Sequence, residues 1–197
     1  TGQCRQLFIP YMLRPYQQNI KHNLFEAWRQ YPSVMVQMPT GTGKTHLLAS
    51  VISDRTMADD TASIWIVAHR RELVEQIEET VARYGISKDD GRVKVMSIQW
   101  LSKHWENVRD ERPGLIVIDE AHHALAGTYR DLWPRYPDAK KLGMTATPCR
   151  LNGKGFTDLF GTLITSDSIA DFIRQGWLSA FDYVSIRPDS EDQRLIN

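Results

Sequence analysis

The sequence predicts an α/β fold in which a parallel β-sheet carries helices on both faces, giving three layers α/β/α. Short runs of apolar and β-branched residues alternate with longer segments whose apolar residues recur at helical spacing. The runs 64–68 and 115–118 are apolar without interruption, which is typical of parallel strands buried on both faces. Because parallel strands are joined by crossovers, we expect right-handed connections that place helices on both faces.

The predicted elements follow in chain order. Pro15 suits the first turn of the first helix, because its fixed φ and missing N–H are tolerated there, and Gly85 ends a later helix. The predicted strands start at Val34 and cover 63–68, part of 91–99, 115–120, 141–148 and 181–186, and the predicted helices start at residues 13 and 46 and cover 70–84 and 167–174.

Composition limits the class of protein. A chain of 197 residues with 42% hydrophobic and 24% charged residues is typical of one soluble globular domain. The formal net charge of +0 gives no support for nucleic-acid binding, so any basic surface must be local. Cys4 and Cys149 are too few for a disulfide framework or zinc site and suit a reducing compartment, so we expect a cytoplasmic protein. No apolar run approaches a membrane span, and no membrane partner is expected.

The chemistry is concentrated in a glycine-rich turn, residues 38–45, of sequence MPTGTGKT. It follows a strand-like run and precedes an apolar helical pattern, the setting in which backbone N–H groups and a helix N-terminus bind phosphate. Lys44 would reach the β- and γ-phosphates, and the Thr45 hydroxyl would ligate Mg²⁺. Met38 occupies the position where the simple pattern has its first glycine. The alternative is a plain glycine turn with a surface lysine.

A pair of acids closes the most hydrophobic predicted strand. Asp119 is suited to anchoring Mg²⁺ through water, and Glu120 to orienting and deprotonating the water that attacks the γ-phosphate. The two acids could also simply open a helix, where carboxylates suit the dipole. His122 and His123 could suggest a metal pair, but adjacent helical residues point apart, so metal binding is the weaker interpretation.

Lys44, Asp119 and Thr145 all lie at or just beyond the carboxyl ends of predicted strands. In open parallel sheets ligands bind at that edge, so these residues are expected to form one site.

These motifs together resemble the first RecA-like domain of superfamily 2 helicases and translocases, over residues 13–150. The position of Met38 is variable in that family. Within the superfamily, the sequence looks most like the RadD/XPB-like and restriction-subunit families. The resembling stretches are RPYQ at 14–17 (Q-motif), 38–45 (motif I), VAHRREL at 67–73 (motif Ia), DEAHH at 119–123 (motif II) and GMTATP at 143–148 (motif III).

The resemblance implies a set of roles. Gln17 would bond the adenine edge, with Arg14 near the base, and His122 would link the γ-phosphate side to motif III. Thr145 and Thr147 would couple hydrolysis to the grip on nucleic acid. The implied cofactors are ATP and Mg²⁺, and the implied nucleotide contacts are Arg14, Gln17, Thr40, Gly41, Thr42, Gly43, Lys44, Thr45 and His46.

The resemblance also implies partners. DNA is expected more than RNA, and the contacts to one strand's phosphate backbone would be His69, Arg70, Arg71, Ser97 and Gln99. A second RecA-like domain would supply arginines across the nucleotide. The chain begins at Thr1, so we expect a piece of a longer protein, with residues 1–187 as the first domain and 188–197 as the start of a linker. Such a piece would be monomeric, and would bind nucleotide but hydrolyse ATP slowly.

Other function classes remain open at this level. A restriction-enzyme motor subunit would use the same motifs. A P-loop kinase or GTPase shares the phosphate loop but would lack the Thr145–Ala146–Thr147 stretch. A nucleotide-binding scaffold without catalysis would have little use for Glu120.

Overall fold

The computed structural model describes residues 13–58, 63–83, 85, 91–121, 128–147 and 159–179. The first twelve residues and the segment from 180 onward lie outside it, and so do His122 and the predicted strand 181–186.

The described strands form one six-stranded sheet in which all pairings are parallel. Its spatial order is β3-β2-β4-β5-β1-β6, so β4, β5 and β1 are central. This confirms the predicted α/β class. The strands are β1 (Ser33–Gln37), β2 (Ile64–Ala68), β3 (Val93–Ser97), β4 (Leu115–Asp119), β5 (Lys140–Thr145) and β6 (Thr162–Thr165).

Most of the described helices lie in connections between strands, as parallel pairing requires, whereas the first precedes β1 and the last follows β6. A 3₁₀ helix, Thr128–Asp131, directly precedes α6. The α-helices are α1 (Pro15–Trp28), α2 (Lys44–Ala58), α3 (Arg71–Arg83), α4 (Ile98–Lys103), α5 (Trp105–Val108), α6 (Leu132–Arg135) and α7 (Ile169–Arg174).

Each face of the sheet carries its own apolar core, because successive strand side chains point to opposite faces. Val34 and Val36 pack with α1 and α2, whereas Met35 between them packs on the other face with Phe160. The same alternation separates Ile66 from Trp65. Both faces are therefore covered, which explains the uninterrupted apolar character of the strands.

The strand order brings the ends of β1, β4 and β5 to one edge. Register pairs Gln37 with Thr145, and Asp119 with Met144. The pairing continues one step past β1, where Met38 N donates to the Thr145 carbonyl at 2.9 Å. The turn after β1 is thus anchored to the end of β5.

Some element assignments from the sequence need correction. Gln99 was expected on a strand, but β3 ends at Ser97 and Gln99 lies on α4. The Ser97 hydroxyl caps α4 by accepting from Trp100 N at 3.1 Å, which starts a helix where the apolar pattern suggested a continuing strand. Strand β6 was not anticipated. The predicted helix 167–174 is present as α7, capped by Ser168.

Candidate nucleotide site

The glycine-rich turn runs from β1 directly into α2, which begins at Lys44. Gly41 and Gly43 have φ of +86° and +84°, a left-handed conformation that glycine adopts without the steric cost of a Cβ atom. The Thr42 hydroxyl donates to the Pro39 carbonyl at 2.6 Å and fixes the turn internally. The result is a compact loop at the N-terminus of a 15-residue helix, an arrangement suited to anions.

Lys44 is the charged centre of the site. Its Nζ lies 3.4 Å from Asp119 Oδ1 and 3.1 Å from Glu120 Oε1. The exposed fractions of the three side chains are only 22%, 16% and 29%, so solvent screens these pairs less than it would on an open surface. The structure therefore brings together the lysine of the turn and both acids at the end of β4.

Glu120 has an unusual backbone. Its φ is +51°, and among the described residues it is the one non-glycine with positive φ. Such a conformation costs about 1–2 kcal/mol for an ordinary side chain, and strained residues concentrate at functional sites. The chain turns sharply off β4 here, and the turn places the Glu120 carboxylate beside Lys44.

A cavity of about 530 Å³ opens over the turn. That volume is within the range of small-molecule sites. Its lining joins the turn, the start of α1 and the ends of β4 and β5, and comprises Arg14, Gln17, Thr40, Gly41, Gly43, Lys44, Thr45, His46, Glu120 and Ala146.

Gln17 ties α1 to the glycine turn. Its Nε2 donates to the carbonyls of Thr42 at 3.1 Å and Gly43 at 3.2 Å, and its Oε1 accepts from Arg14 N at 2.8 Å. The residue is 3% exposed. Both amide hydrogens are thus used within the chain, and Oε1 is the atom that can accept a further bond from a base, because an amide oxygen has two lone pairs.

Tyr16 belongs to the site although the sequence analysis gave it no role. Its hydroxyl donates to the Thr42 carbonyl at 2.6 Å and accepts from Arg14 Nη1 at 3.3 Å. The signal was present, since Tyr16 is the third residue of the RPYQ stretch. The Tyr16 hydroxyl therefore connects the Arg14 side chain to the glycine-rich turn.

The residues present fit a magnesium–triphosphate group. A hydroxyl and carboxylates are the oxygen ligands that Mg²⁺ prefers, and Thr45 and Asp119 supply them. A Cβ atom on Gly43 would lie 2.1 Å from Gln17 Nε2, so the turn has no room for a side chain on its inner side. The backbone N–H groups of the turn and the Lys44 amine together offer the hydrogen-bond donors that phosphate oxygens need.

Tyr129 is a second residue that the sequence analysis missed. It is 2% exposed, and within the described part of the chain its hydroxyl has no hydrogen-bond partner. Burial first, and the nearby charge of Asp119 second, raise the pKa of this phenol well above its usual range. Tyr129 therefore stays neutral behind Asp119 at ordinary pH. Nothing in its local sequence pattern distinguished it from a core tyrosine.

The residues expected to couple hydrolysis to nucleic acid lie beside the cavity. Thr145 is fully buried at the end of β5, and its hydroxyl accepts from Thr147 N at 3.1 Å. This bond shapes the turn that carries Ala146 into the cavity wall. His122 lies outside the described residues.

The residues expected at nucleic acid follow the ends of β2 and β3, on the same sheet edge as the cavity. Gln99 Nε2 donates to the His69 carbonyl at 2.9 Å, which joins the two segments. Arg70 and Arg71 are exposed beside them, and Ser97 is buried as the cap of α4. Ser97 is therefore buried as the N-cap of α4. The other four lie together at the surface, and they are His69, Arg70, Arg71 and Gln99.

With this geometry in place, the comparison with known families is specific. The family described as type III restriction enzyme, res subunit, matches residues 10–150, which includes the turn, the acid pair and the RPYQ stretch. The chain belongs to this family. The match confirms the resemblance to superfamily 2 helicases and restriction subunits that the motifs indicated.

The individual relatives of this chain share less than a third of its residues. The "51.5 kDa protein" of Lactococcus phage (isolate 7-9) is 29% identical over 77% of this chain and 32% of its own length. The "DNA 3'-5' translocase XPB2" of Sulfurisphaera tokodaii is 26% identical over 74% of this chain and 34% of its own length. The chain thus spans about a third of these relatives.

Solved structures confirm the fold of this family member. The helicase domain of Hef from Pyrococcus furiosus superposes with a TM-score of 0.67 at 20% identity, over 82% of this chain and 39% of that one. The RecA-like architecture expected from the motifs is therefore present. Among the helices of the described ranges, none is long and apolar enough to span a bilayer.

Proposed function

We propose that this chain is the ATP-binding motor domain of a superfamily 2 helicase or translocase, which couples ATP hydrolysis to movement on nucleic acid. The observation that carries the proposal is the position of the Lys44 amine, within 3.4 Å of Asp119 and 3.1 Å of Glu120 on the wall of a cavity lined by the glycine turn. In the bound state a triphosphate would take the place of the carboxylates as partner of the lysine.

The nucleotide would lie across the cavity with its base toward α1. Gln17 Oε1 would accept from the adenine amino group, and Arg14 would pack near the base. The N–H groups of Gly41 and Gly43 and the amine of Lys44 would hold the phosphates, with Thr40, Thr42 and His46 flanking them.

Thr45 and Asp119 would hold a magnesium ion, Asp119 partly through water, and bound magnesium neutralises charge on the phosphates. Glu120 would accept a proton from the attacking water. The oxygen of that water would bond to the γ-phosphorus as the bond between the γ-phosphorus and the bridging oxygen breaks. His122, Thr145 and Thr147 would link this step to the nucleic-acid surface.

Nucleic acid, DNA more than RNA, would lie along the surface formed by His69, Arg70, Arg71 and Gln99, with Ser97 acting through the cap of α4. Two structural neighbours support a nucleic-acid partner, since one was solved in complex with dsDNA and the other with a DNA substrate mimic. A second RecA-like domain of the same protein would complete the site, since an arginine from outside the domain is a common source of transition-state stabilisation.

A second candidate is the motor subunit of an ATP-dependent restriction enzyme, which the description of the matching family favours. Both candidates use the same nucleotide site. ATP-dependent cleavage of DNA by the whole protein would select the restriction subunit, whereas movement on DNA without cleavage would select the helicase or translocase.

The test compares wild type with Lys44→Ala and Glu120→Gln. Lys44→Ala should weaken ATP binding at least about tenfold, because a charged phosphate partner is lost. Glu120→Gln should bind ATP and lower single-turnover hydrolysis by about 10²-fold or more, because the base is lost. Calorimetry gives the first result and radiolabelled phosphate release the second.

Equal hydrolysis by wild type and Glu120→Gln would remove Glu120 from the mechanism. Wild type that binds ATP without any turnover, alone or with DNA and the rest of the protein, would point to the scaffold instead. Wild-type chain that fails to bind ATP would overturn the proposed site. The isolated chain is expected to turn over slowly even as wild type, since the second domain is needed for fast hydrolysis.

A further inference from the structure

The chain returns to the nucleotide cavity after β6. Helix α7 ends at Arg174, and Gly176 with φ +83° reverses the backbone. The N–H groups of Trp177 and Leu178 both donate to the Phe172 carbonyl, at 2.9 and 3.2 Å. This tight C-terminal turn places two large apolar side chains against the cavity wall.

Trp177 packs on the two residues that form the base side of the site. The Arg14 guanidinium carbon lies 4.8 Å from the centroid of the indole ring, within the distance of a cation–π contact. The Tyr16 ring meets the same indole edge-on at 5.6 Å and meets Phe172 at 4.8 Å. Arg14 thus has an aromatic support on one side and the cavity beside it.

Leu178 touches the turn itself. A Cβ atom built on Gly41 would lie 3.1 Å from Leu178 Cδ2, so the leucine packs closely over that glycine. The segment after β6 therefore contacts both walls of the cavity, the base side through Trp177 and the phosphate side through Leu178.

Trp177 remains 38% exposed despite these contacts. A tryptophan needed only for the core would be buried, as Trp65 is at 0%. A half-covered indole with a guanidinium on its face is instead suited to holding a mobile arginine side chain in one orientation, which lowers the entropy lost when that arginine meets a ligand.

We propose that Trp177 is a positioning residue for the nucleobase: it holds Arg14 against the base side of the cavity and so sets the preference for base-containing nucleotides over bare polyphosphate. The inference rests on the proposed function, since it assigns the base to the Arg14 side of that site. It adds a specificity determinant about 160 residues downstream of the RPYQ stretch, in a segment to which the motifs gave no role.

The experiment measures affinities for ADP and for inorganic tripolyphosphate, which has no base, in wild type, Trp177→Ala and Trp177→Phe. Trp177→Ala should weaken ADP binding about two- to fivefold, the loss expected for an exposed cation–π support, and leave tripolyphosphate binding unchanged. Trp177→Phe keeps an aromatic face and should recover most of the ADP affinity.

Trp100→Ala is the matched control. Trp100 is 40% exposed and stacks on His104 with ring centroids 4.4 Å apart, outside the cavity lining. Its removal should leave both affinities unchanged. A double variant adds a sharper test: in an Arg14→Ala background, Trp177→Ala should cause no further loss of ADP affinity, because the indole acts through the arginine.

The outcomes separate the two proposals. Lys44→Ala should weaken both ligands, and a wild type that binds neither would overturn the proposed function itself. If wild type binds both ligands but Trp177→Ala weakens both equally, or neither, the positioning role is wrong. Additive losses in the Arg14→Ala background would likewise overturn it.

Discussion

Gly43 strongly constrains the shape of the glycine-rich turn. Its left-handed backbone disfavours any side chain, and a Cβ atom at this position would lie 2.1 Å from Gln17 Nε2. Because the Gln17 amide joins α1 to the turn, any side chain at position 43 must displace that bridge.

We therefore expect Gly43→Ala to lower the free energy of unfolding by about 2–4 kcal/mol, from backbone strain and overpacking together, and to weaken ADP at least about tenfold. Urea unfolding and calorimetry measure the two effects. Gly85→Ala is the matched control, since Gly85 has a similar φ of +80° but no atom of the described residues within 4 Å of its Cβ position. Gly85→Ala should lower the free energy of unfolding only by the cost of backbone strain, and it should leave the affinity for ADP unchanged. Equal unfolding losses in both variants would contradict the role of the Gln17 contact.

At this scale the sequence predicted residue types better than their partners. Lys44, Asp119 and Glu120 were expected to lie together because phosphate and magnesium chemistry would use such groups at strand ends, and the structure brings them together. The roles of Tyr16, Tyr129 and Trp177 were not, because each depends on a contact between segments far apart in the chain. The bonds that occupy the Gln17 amide are a further example.

Strand β5 has no room for a side chain at Gly143, on the sheet face that carries Met35, Ala121 and Phe160. A Cβ atom on Gly143 would lie 2.7 Å from Ala121 Cβ and 2.9 Å from both Met35 Sδ and Phe160 Cε1. Ala121 directly follows Glu120, so the space at position 143 also fixes where the acid pair leaves β4.

Gly143→Ala should lower the free energy of unfolding by about 1–3 kcal/mol, because three packed neighbours must move to admit a methyl group. The shift of Ala121 should also lower ATP turnover more than ATP affinity. Gly114→Ala, just before β4, is the control for adding a methyl group at a strand end, because the nearest atoms among the described residues would lie 3.7 and 3.8 Å from the new Cβ atom. A Gly143→Ala protein as stable as Gly114→Ala would show that the core can relax around it.

Most elements were predicted from their periodicity, an apolar run or flanking turn residues, and the structure contains α1, α2, α3, α7 and β1 to β5 near the expected positions. Strand β6, with the sequence TLIT, is half-exposed and too short to give a clear pattern. The short helices α4 and α5 were missed because their existence depends on a cap and on tertiary packing rather than on an amphipathic repeat.

At the scale of the whole molecule, we expect the buried amine of Lys141 to make the free energy of unfolding depend on pH. Lys141 is 2% exposed at the start of β5, and its Nζ donates to the carbonyls of Tyr136 at 2.8 Å and Ala139 at 3.2 Å. Burial lowers the pKa of this amine from 10.5 to about 8, against a smaller opposing effect of Asp138.

The folded state therefore loses this proton near pH 8, whereas the unfolded state keeps it to 10.5. Between those values the unfolded state binds more protons, so the free energy of unfolding should rise with pH. Urea unfolding at about pH 7 and about pH 9.5 gives the free energies of unfolding of wild type and Lys141→Met. Wild type should gain stability relative to the variant as the pH rises. A constant difference would mean that the folded amine keeps its proton throughout.

The overall architecture was predictable from the sequence because it follows from a repeated pattern of apolar strands and amphipathic helices. The strand order was not, since periodicity does not specify which strands are neighbours. That order decides the site, because it inserts β4 and β5 between β1 and β2 and so brings Asp119 within reach of Lys44.

The same order has a consequence for how the protein is made. Strand β1 is hydrogen-bonded on one side to β5 and on the other to β6. The register partners of Val34, Leu142 and Thr162, both lie more than 100 residues later in the chain. On a ribosome, β1 and the glycine-rich turn emerge before either neighbour of β1: it can pair on one side only after β5 has been translated, and on the other only after Thr165. A nascent chain stalled before β5 would hold an apolar strand with neither partner, and we expect ATP to be a poor ligand for it until translation resumes.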